Sequence, residues 1–314
     1  MRTPAFWQQD GLLPRLLAPA SAVYARATAW RVARPGWTAP VPVLCVGNAG
    51  VGGAGKTTVV LDLVSRLRAR GAAVHCLTRG YGGRAPANDV LRVSPTDRAD
   101  WVGDEALLLA TAAPTWRCAD RARAARAAIA AGAGVLIMDD GLQNPTLKHS
   151  AALLVVDTVA GFGNGRVLPA GPLREPAITA ARRCRAAVLI GDGPTPNLPI
   201  PILRARLLAD RLLPAIRVYA FAGIGRPAKF HATLKEAGAV VAGSEDFPDH
   251  HTYRASELER IFARAATLFA TPVTTPKDAA RLDPVDRAMV QVVGVTLEWQ
   301  DPAAIEAVLD ELLA

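Results

Sequence analysis

Residues 50–57, Gly50-Val51-Gly52-Gly53-Ala54-Gly55-Lys56-Thr57, meet every fixed position of the phosphate-binding pattern G-x-x-x-x-G-K-[ST]. The flanks meet its requirements too. An apolar stretch rich in β-branched residues, Val41-Pro42-Val43-Leu44-Cys45-Val46, leads in, and an amphipathic stretch over 58–70 leads out. Strand, loop and helix in that order bring backbone N–H groups and the positive end of a helix onto a phosphate chain. In that arrangement Lys56 reaches the β- and γ-phosphates and the Thr57 hydroxyl serves Mg²⁺. A tight turn that happens to contain Lys-Thr is the alternative, and it leaves both flanks unexplained.

The rest of the chain continues the alternation. Apolar runs at 73–78, 91–93, 116–119, 152–157 and 186–190 read as strands, with helices at 103–113 and 122–131 between them. Val135-Leu136-Ile137-Met138 ends in Asp139-Asp140. An acid at a strand end after a phosphate loop holds Mg²⁺ directly or through water. A Pro- and Gly-rich stretch at 192–201 marks a boundary, after which 202–208, 216–222, 239–242 and 272–274 read as strands and 229–237, 255–268 and 302–313 as helices. Residues 289–298 read as one extended strand. The pattern predicts an α/β fold, with a parallel sheet covered on both faces and a smaller α/β unit after it. The crevice between the two is the expected site.

The chain has 314 residues, 51% hydrophobic and 20% charged, ample material for two domains. Its net charge of +8 suits nucleic acid, anionic lipid or a phosphate-bearing substrate. With 5% aromatics and no RNP-type or zinc-finger signature, nucleic acid is the weakest of these. Cys45, Cys76, Cys118 and Cys184 are far apart and form no C-x-x-C pair, as expected of reduced core cysteines. No run reaches the ~18 apolar residues of a spanning helix. At the N-terminus, Phe6, Trp7, Leu12, Leu13, Leu16, Leu17, Ala20, Val23, Tyr24, Ala27 and Trp30 recur at helical spacing, with Arg15, Arg26, Arg31 and Arg34 among them. That pattern suits a helix in a membrane interface and equally a helix packed on the domain. Pro19 and the absence of a cleavage site argue against a signal peptide.

Several polar groups read two ways from the residues alone. Gly103-Asp104-Glu105 is either an acidic pair with chemistry to do or an ordinary helix start. Asp249-His250-His251 offers a histidine oriented by a carboxylate, or surface residues. Lys277 either neutralises phosphate or pairs with an acid in solvent. The Gly- and Pro-dense loop at 162–176 is long enough to be functional, and it carries Arg174 and Glu175. A phosphate loop alone also fits a phosphotransferase acting on a soluble metabolite, or a nucleotide-switched partitioning or metal-delivery protein.

Taken in order, the motifs resemble one family, the tetraacyldisaccharide 4′-kinases of lipid A biosynthesis. The resemblance rests on Val46-Gly47-Asn48 with the phosphate loop, Thr78-Arg79-Gly80-Tyr81-Gly82-Gly83, Gly103-Asp104-Glu105, Ala119-Asp120-Arg121 and Asp139-Asp140-Gly141-Leu142-Gln143. It continues through Leu168-Pro169-Ala170-Gly171-Pro172-Leu173-Arg174-Glu175-Pro176, Phe221-Ala222-Gly223-Ile224, Phe247-Pro248-Asp249-His250 and Lys277-Asp278. It implies a P-loop NTPase-like α/β/α domain and a smaller α/β/α domain joined by a two-stranded linker. The expected division is 1–40 for a membrane-associating segment, 41–201 for the kinase domain, 202–214 and 289–299 for the linker, 215–288 for the smaller domain and 300–314 for a closing helix. It implies ATP and Mg²⁺, transfer of the γ-phosphate to the 4′-hydroxyl of the lipid A disaccharide 1-phosphate, and work at the cytoplasmic face of a bacterial inner membrane, peripheral or monotopic. By family role Asp104 is the base with His250 as partner. Residues 50–57, Arg174 and Glu175 serve the nucleotide; Asn48, Arg79, Tyr81 and Arg121 the acceptor; Thr57, Glu105 and Asp139 or Asp140 the metal. The chain departs from the family pattern at Leu142, Asn144, Pro145-Thr146 and Pro276.

Overall fold

The structure, a computed structural model, describes residues 4–314. Among these residues the strands fall into two sheets, of nine and four strands. The large sheet begins with β1 (Val43–Gly47), β2 (Val74–Thr78), β3 (Leu91–Val93), β4 (Thr115–Arg117), β5 (Val135–Asp139), β6 (Ala151–Asp157), β7 (Ala186–Ile190) and β8 (Ile202–Ala209). The chain then builds the small sheet from β9 (Arg217–Ala222), β10 (Val240–Asp246), β11 (Thr271–Thr274) and β12 (Gln291–Val292), and returns with β13 (Val295–Trp299). The large sheet has the order β13-β8-β7-β6-β1-β5-β2-β4-β3 and the small one β10-β9-β11-β12.

Strands β1, β2, β5 and β7 are buried at every residue. This is why they read as continuous apolar runs rather than alternating ones: a parallel strand with helices on both faces has no wet side. One face is covered by helix Lys56–Ala69, which sinks Val59, Val60, Leu63, Val64 and Leu67 against Leu44, Val46, Ile137 and Val188. The closing helix Pro302–Leu313 adds Ile305, Leu309 and Leu312 to the same layer. The other face is covered by helix Arg121–Ala130 and by the loop after β6. All four cysteines are buried and free, as the spacing suggested.

The order of strands decides where the site lies. The central β1 has β6 on one side and β5 on the other, both parallel. Successive connections therefore leave in opposite directions, and the crevice at the carboxyl ends of β1 and β5 is the place where such sheets bind ligands. In register, Val46 of β1 faces Asp139 of β5, so the acidic strand end lies beside the phosphate loop. Gly55 stands at the helix N-cap with φ 87°, a left-handed value, and a Cβ there would lie 2.6 Å from Ile190 Cδ1. The left-handed backbone is what favours glycine there, and the Ile190 side chain would have to shift for any larger residue.

The run at 289–298 is not one strand. It divides into β12, which pairs with β11 of the small sheet, and β13, which pairs antiparallel with β8 at the edge of the large one. Gly294 lies at the break, where a Cβ would meet Asp210 Oδ2 at 2.8 Å. Four short helices, Ala99–Val102, Ala177–Ala181, Pro276–Ala279 and Pro284–Ala288, are too brief to show a 3.6-residue period and were not expected.

At the N-terminus, short turns at Ala5–Gln8 and Leu12–Leu16 precede a helix over Ala18–Val32. This helix docks through its polar positions, Ser21 and Thr28. Ser21 Oγ donates to Val167 O at 2.7 Å and accepts from Ala170 N at 3.1 Å. Leu12, Leu16, Val23 and Trp30 are left 67–75% exposed. Of the two readings open from the spacing, the packing of the helix on the domain is seen, but through Ser21 and Thr28, while most of its apolar residues face outward. No helix of the described residues is long and apolar enough to cross a membrane.

Candidate active site

The phosphate-loop lysine is aimed by its neighbours. Lys56 Nζ donates to Asn48 Oδ1 at 3.3 Å and stands 3.7 Å from Asp140 Oδ1. The long Gly- and Pro-dense loop closes over this corner: Val51 N donates to Pro172 O at 2.8 Å and Arg174 N to Ala49 O at 2.7 Å. Arg174 then reaches in, its Nη1 lying 3.0 Å from both oxygens of Asp140. Asp140 has a left-handed φ of 54°, uncommon outside glycine, which turns its carboxylate back toward Lys56 and Arg174. Burial opposes its ionisation, but those two cations and Arg121 hold its carboxyl below the usual range.

Asp139 is differently placed. Oδ2 accepts from Thr57 Oγ1 at 3.3 Å, while Oδ1 is buried and has no hydrogen-bond partner. Burial, then the negative Glu105 nearby, push its pKa up, with Lys56 pulling the other way. An orphaned buried carboxylate oxygen beside a hydroxyl and a second acid is a hard-oxygen donor set that suits Mg²⁺. No group of three His, Cys, Asp or Glu among the described residues could hold a metal by itself. Mg²⁺ commonly keeps water and substrate phosphates as its remaining ligands, so the residues present fit it.

Opposite stands Asp104, 3% exposed at the start of helix Asp104–Ala112. Gly103 takes the cap position, and Asp104 Oδ1 accepts from Glu105 N at 2.8 Å. Oδ2 is free of that duty and meets His250 Nδ1 at 3.1 Å and a nitrogen of Arg281. His250 arrives from the small unit with φ 60°, another left-handed value at a non-glycine residue. The Asp104 hydrogen bond raises the pKa of His250 against the effect of burial. Burial disfavours charge on Asp104, yet His250, Arg281 and Lys277 hold it far below the carboxylate range.

The sequence-predicted residues mostly converge. Asn48, Lys56, Thr57, Asp139 and Asp140 form one wall, and Asp104, Glu105 and His250 the other. Tyr81 is exposed at the rim with its ring centroid 5.6 Å from that of His250, and Arg79 is exposed in the same loop. Arg121 is fully buried behind Asp139 and Asp140, where burial lowers its pKa to about 10, and one nitrogen donates to Cys118 O. Glu175 lies beneath the loop, buried, its oxygens accepting from both Arg183 nitrogens at 2.7 Å and from Gln143 at 2.8 Å. Gln143 in turn donates to Asn48 O at 3.0 Å and accepts from Arg174 at 3.3 Å, so Glu175 supports the loop through these neighbours.

One cation was open in its role and one went unrecognised. Lys277 does not sit in solvent; it pairs with Glu105 at 2.5 Å inside the site. Arg281, beside Asp104, carries no motif of its own, although its position one turn after Lys277-Asp278 was a usable signal. The unusual residues have structural reasons. Leu142 is buried against Gly47, Asn144 ties Ala119 O to Thr146, and Pro276 opens a short helix after the Thr275 cap.

Comparison with known proteins agrees with this architecture. The family model described as tetraacyldisaccharide-1-P 4′-kinase matches residues 13–314. The tetraacyldisaccharide 4′-kinase of Gluconacetobacter diazotrophicus is 55% identical, over 99% of this chain and 98% of that one. The one from Rhodospirillum centenum is 50% identical, over 100% and 97%. A crystal structure described as the "apo" form of LpxK from Aquifex aeolicus in complex with ATP superposes with a TM-score of 0.77 at 25% identity, covering 96% of this chain and 100% of that one. With a phosphate loop, an acidic strand end and an aspartate–histidine pair on facing walls, and relatives matching end to end, the chain belongs to the tetraacyldisaccharide 4′-kinase family.

Proposed function

We propose that the chain transfers the γ-phosphate of ATP to the 4′-hydroxyl of a tetraacylated glucosamine disaccharide 1-phosphate. The observation that carries this reading is the facing pair of walls: Lys56 with the loop amides on one side, Asp104 with His250 on the other. Residues 50–57 bind the triphosphate, and Arg174 steadies the loop edge. Thr57, Asp139 and Glu105 would hold Mg²⁺, which would neutralise charge on the phosphates. Asp104 accepts the hydroxyl proton as the new O–P bond forms, and the electron pair of the broken P–O bond leaves on ADP. His250 orients Asp104 and shares the positive charge around it. Arg79 and Tyr81 line the acceptor side, while Asn48 aims Lys56 and the buried Arg121 balances the charge of Asp139 and Asp140 from behind.

The acceptor's acyl chains keep it in a bilayer, so the enzyme works at the membrane surface, at the cytoplasmic face of the inner membrane. The outward apolar stripe of Leu12, Leu16, Val23 and Trp30, with Arg26, Arg31 and Arg34 on the same helix or just after it, supports this. Such a helix lies in the interface and is drawn by anionic lipid at about 1 kcal/mol per basic residue.

The test is transfer of radiolabelled γ-phosphate from ATP to lipid A disaccharide 1-phosphate in detergent micelles. Labelled lipid is expected, falling roughly 10²–10⁴-fold in Asp104→Asn, with Lys56→Ala as the control for the phosphate loop. Lys56-dependent release of phosphate with no labelled lipid would sink the lipid-kinase reading and favour a nucleotide switch.

A further inference from the structure

Asp104 is gripped from both units. Its own helix supplies the Glu105 N–H, while His250 and Arg281 come from the small unit and share Oδ2. Arg281 is itself anchored. Its Nη1 donates to Gly223 O at 2.9 Å and to Asp278 Oδ1 at 3.0 Å, and its side chain is 7% exposed. Asp278 is fully buried, and accepts from Gly223 N at 2.9 Å, Tyr253 OH at 2.8 Å and Thr275 Oγ1 at 2.6 Å. The same Gly223 carbonyl accepts from His250 N at 3.1 Å. One peptide group of the small unit therefore carries both side chains that hold Asp104.

The arrangement calls for arginine. Asp104 and Asp278 are two buried carboxylates from different units, and a planar guanidinium can donate to both through separate nitrogens. A lysine ammonium is a single point and cannot span them in that fixed geometry. Nothing in this chain of contacts touches the phosphate loop.

We propose that Arg281 is a positioning residue for Asp104, its fork fixing the carboxylate in line with the acceptor hydroxyl only when the small unit is seated on the large one. This rests on Asp104 being the group that receives the acceptor proton. Because Arg281 acts through Asp104, its loss falls on kcat and leaves ATP binding, carried by the other wall, unchanged.

The experiment is a double-mutant cycle in the full chain, with Arg281→Met, Asp104→Asn and the combination, measuring kcat, both KM values and the Kd for ATP. Arg281→Met should lower kcat about a hundredfold, within the range for general-base catalysis, with the ATP Kd held within about twofold. The combined variant should be no more than about threefold slower than Asp104→Asn, because the two act as one unit. Arg281→Lys should regain about tenfold of the loss by keeping the charge beside Asp104. Multiplying losses in the combined variant, a loss expressed in the KM for ATP, or an unchanged kcat in Arg281→Met would each overturn the inference. A fully active Asp104→Asn would instead strike the reading of Asp104, and this inference with it. Should Arg281→Met fail to fold, Tyr253→Phe removes one hydrogen bond to Asp278 and keeps Arg281. It should lower kcat severalfold at constant ATP Kd, and an unchanged kcat there would overturn the inference.

Discussion

Two helices of nearly equal length face opposite ways. Helix Lys56–Ala69 turns its valines and leucines onto the sheet, burying Val59, Val60, Leu63 and Leu67 completely. Helix Ala18–Val32 buries Ser21 and Thr28 and sends Val23 and Trp30 outward. The first is fastened by removing apolar surface from water, at about 25 cal/mol per Å². The second is fastened by hydrogen bonds from Ser21 to the backbone of Val167 and Ala170. Apolar residues at helical spacing establish that a helix has a face. What that face dissolves in is decided by the rest of the molecule.

The contrast can be broken most forcefully at Leu63. Leu63→Ala should cost about 3 kcal/mol in denaturant unfolding, as cavities in packed cores do; a loss under about 1 kcal/mol would mean this helix is not held by its buried face. Trp30→Ala should leave thermal stability essentially unchanged and weaken partitioning onto anionic vesicles about tenfold, equivalent to about 1.4 kcal/mol. The reverse result, a lower Tm and intact vesicle binding, would put Trp30 in a core. Raising salt to about 0.5 M should weaken vesicle binding severalfold through screening of Arg26, Arg31 and Arg34, with the Leu63→Ala deficit unaltered.

The smallest effect concerns pH. The Asp104 hydrogen bond raises the folded-state pKa of His250, so the stabilisation it brings is complete below the unfolded value of about 6.5 and fades as pH rises through the folded one. The Tm difference between the native chain and His250→Gln should be greater at pH 6 than at pH 9 by about a degree or two. The Leu63→Ala difference should be flat over the same range, since no proton is involved. A His250 difference that grows with pH would reverse the sign of the linkage.

The large sheet was legible because a strand buried on both faces leaves an uninterrupted apolar run, as in Val135–Asp139, and because the phosphate loop fixes what precedes and follows it. The convergence of Lys56, Asp139, Asp104 and His250 was legible only through the ordered motifs. Asp104 and His250 are 146 residues apart, and no local pattern joins them. What stayed hidden was settled by distant partners. Lys277 reads as a phosphate neutraliser or as the solvated partner of an acid until Glu105 is seen beside it, and Arg281 has no meaning before Asp104 and Asp278 are seen on either side of it. The break at Gly294 was invisible because β-branched residues continue on both sides; its cause is a change of sheet, not of propensity.

That break has a consequence for how the molecule is assembled. The chain leaves the large sheet at Ala209 and rejoins it at Val295, and these two residues are paired directly across β8 and β13. Everything between them is a loop in the topological sense, with entrance and exit side by side, and Asp210 N bonded to Gly294 O at the doorway. The large sheet could thus be closed by a short turn joining β8 to β13, with the intervening segment removed or replaced by another domain. Such a truncated chain would keep the phosphate loop and its covering helix, and would have lost His250, Lys277 and Arg281 together. The layer that carries the phosphate loop and Asp104, and the segment that carries His250, Lys277 and Arg281, are in this way separable by a single excision.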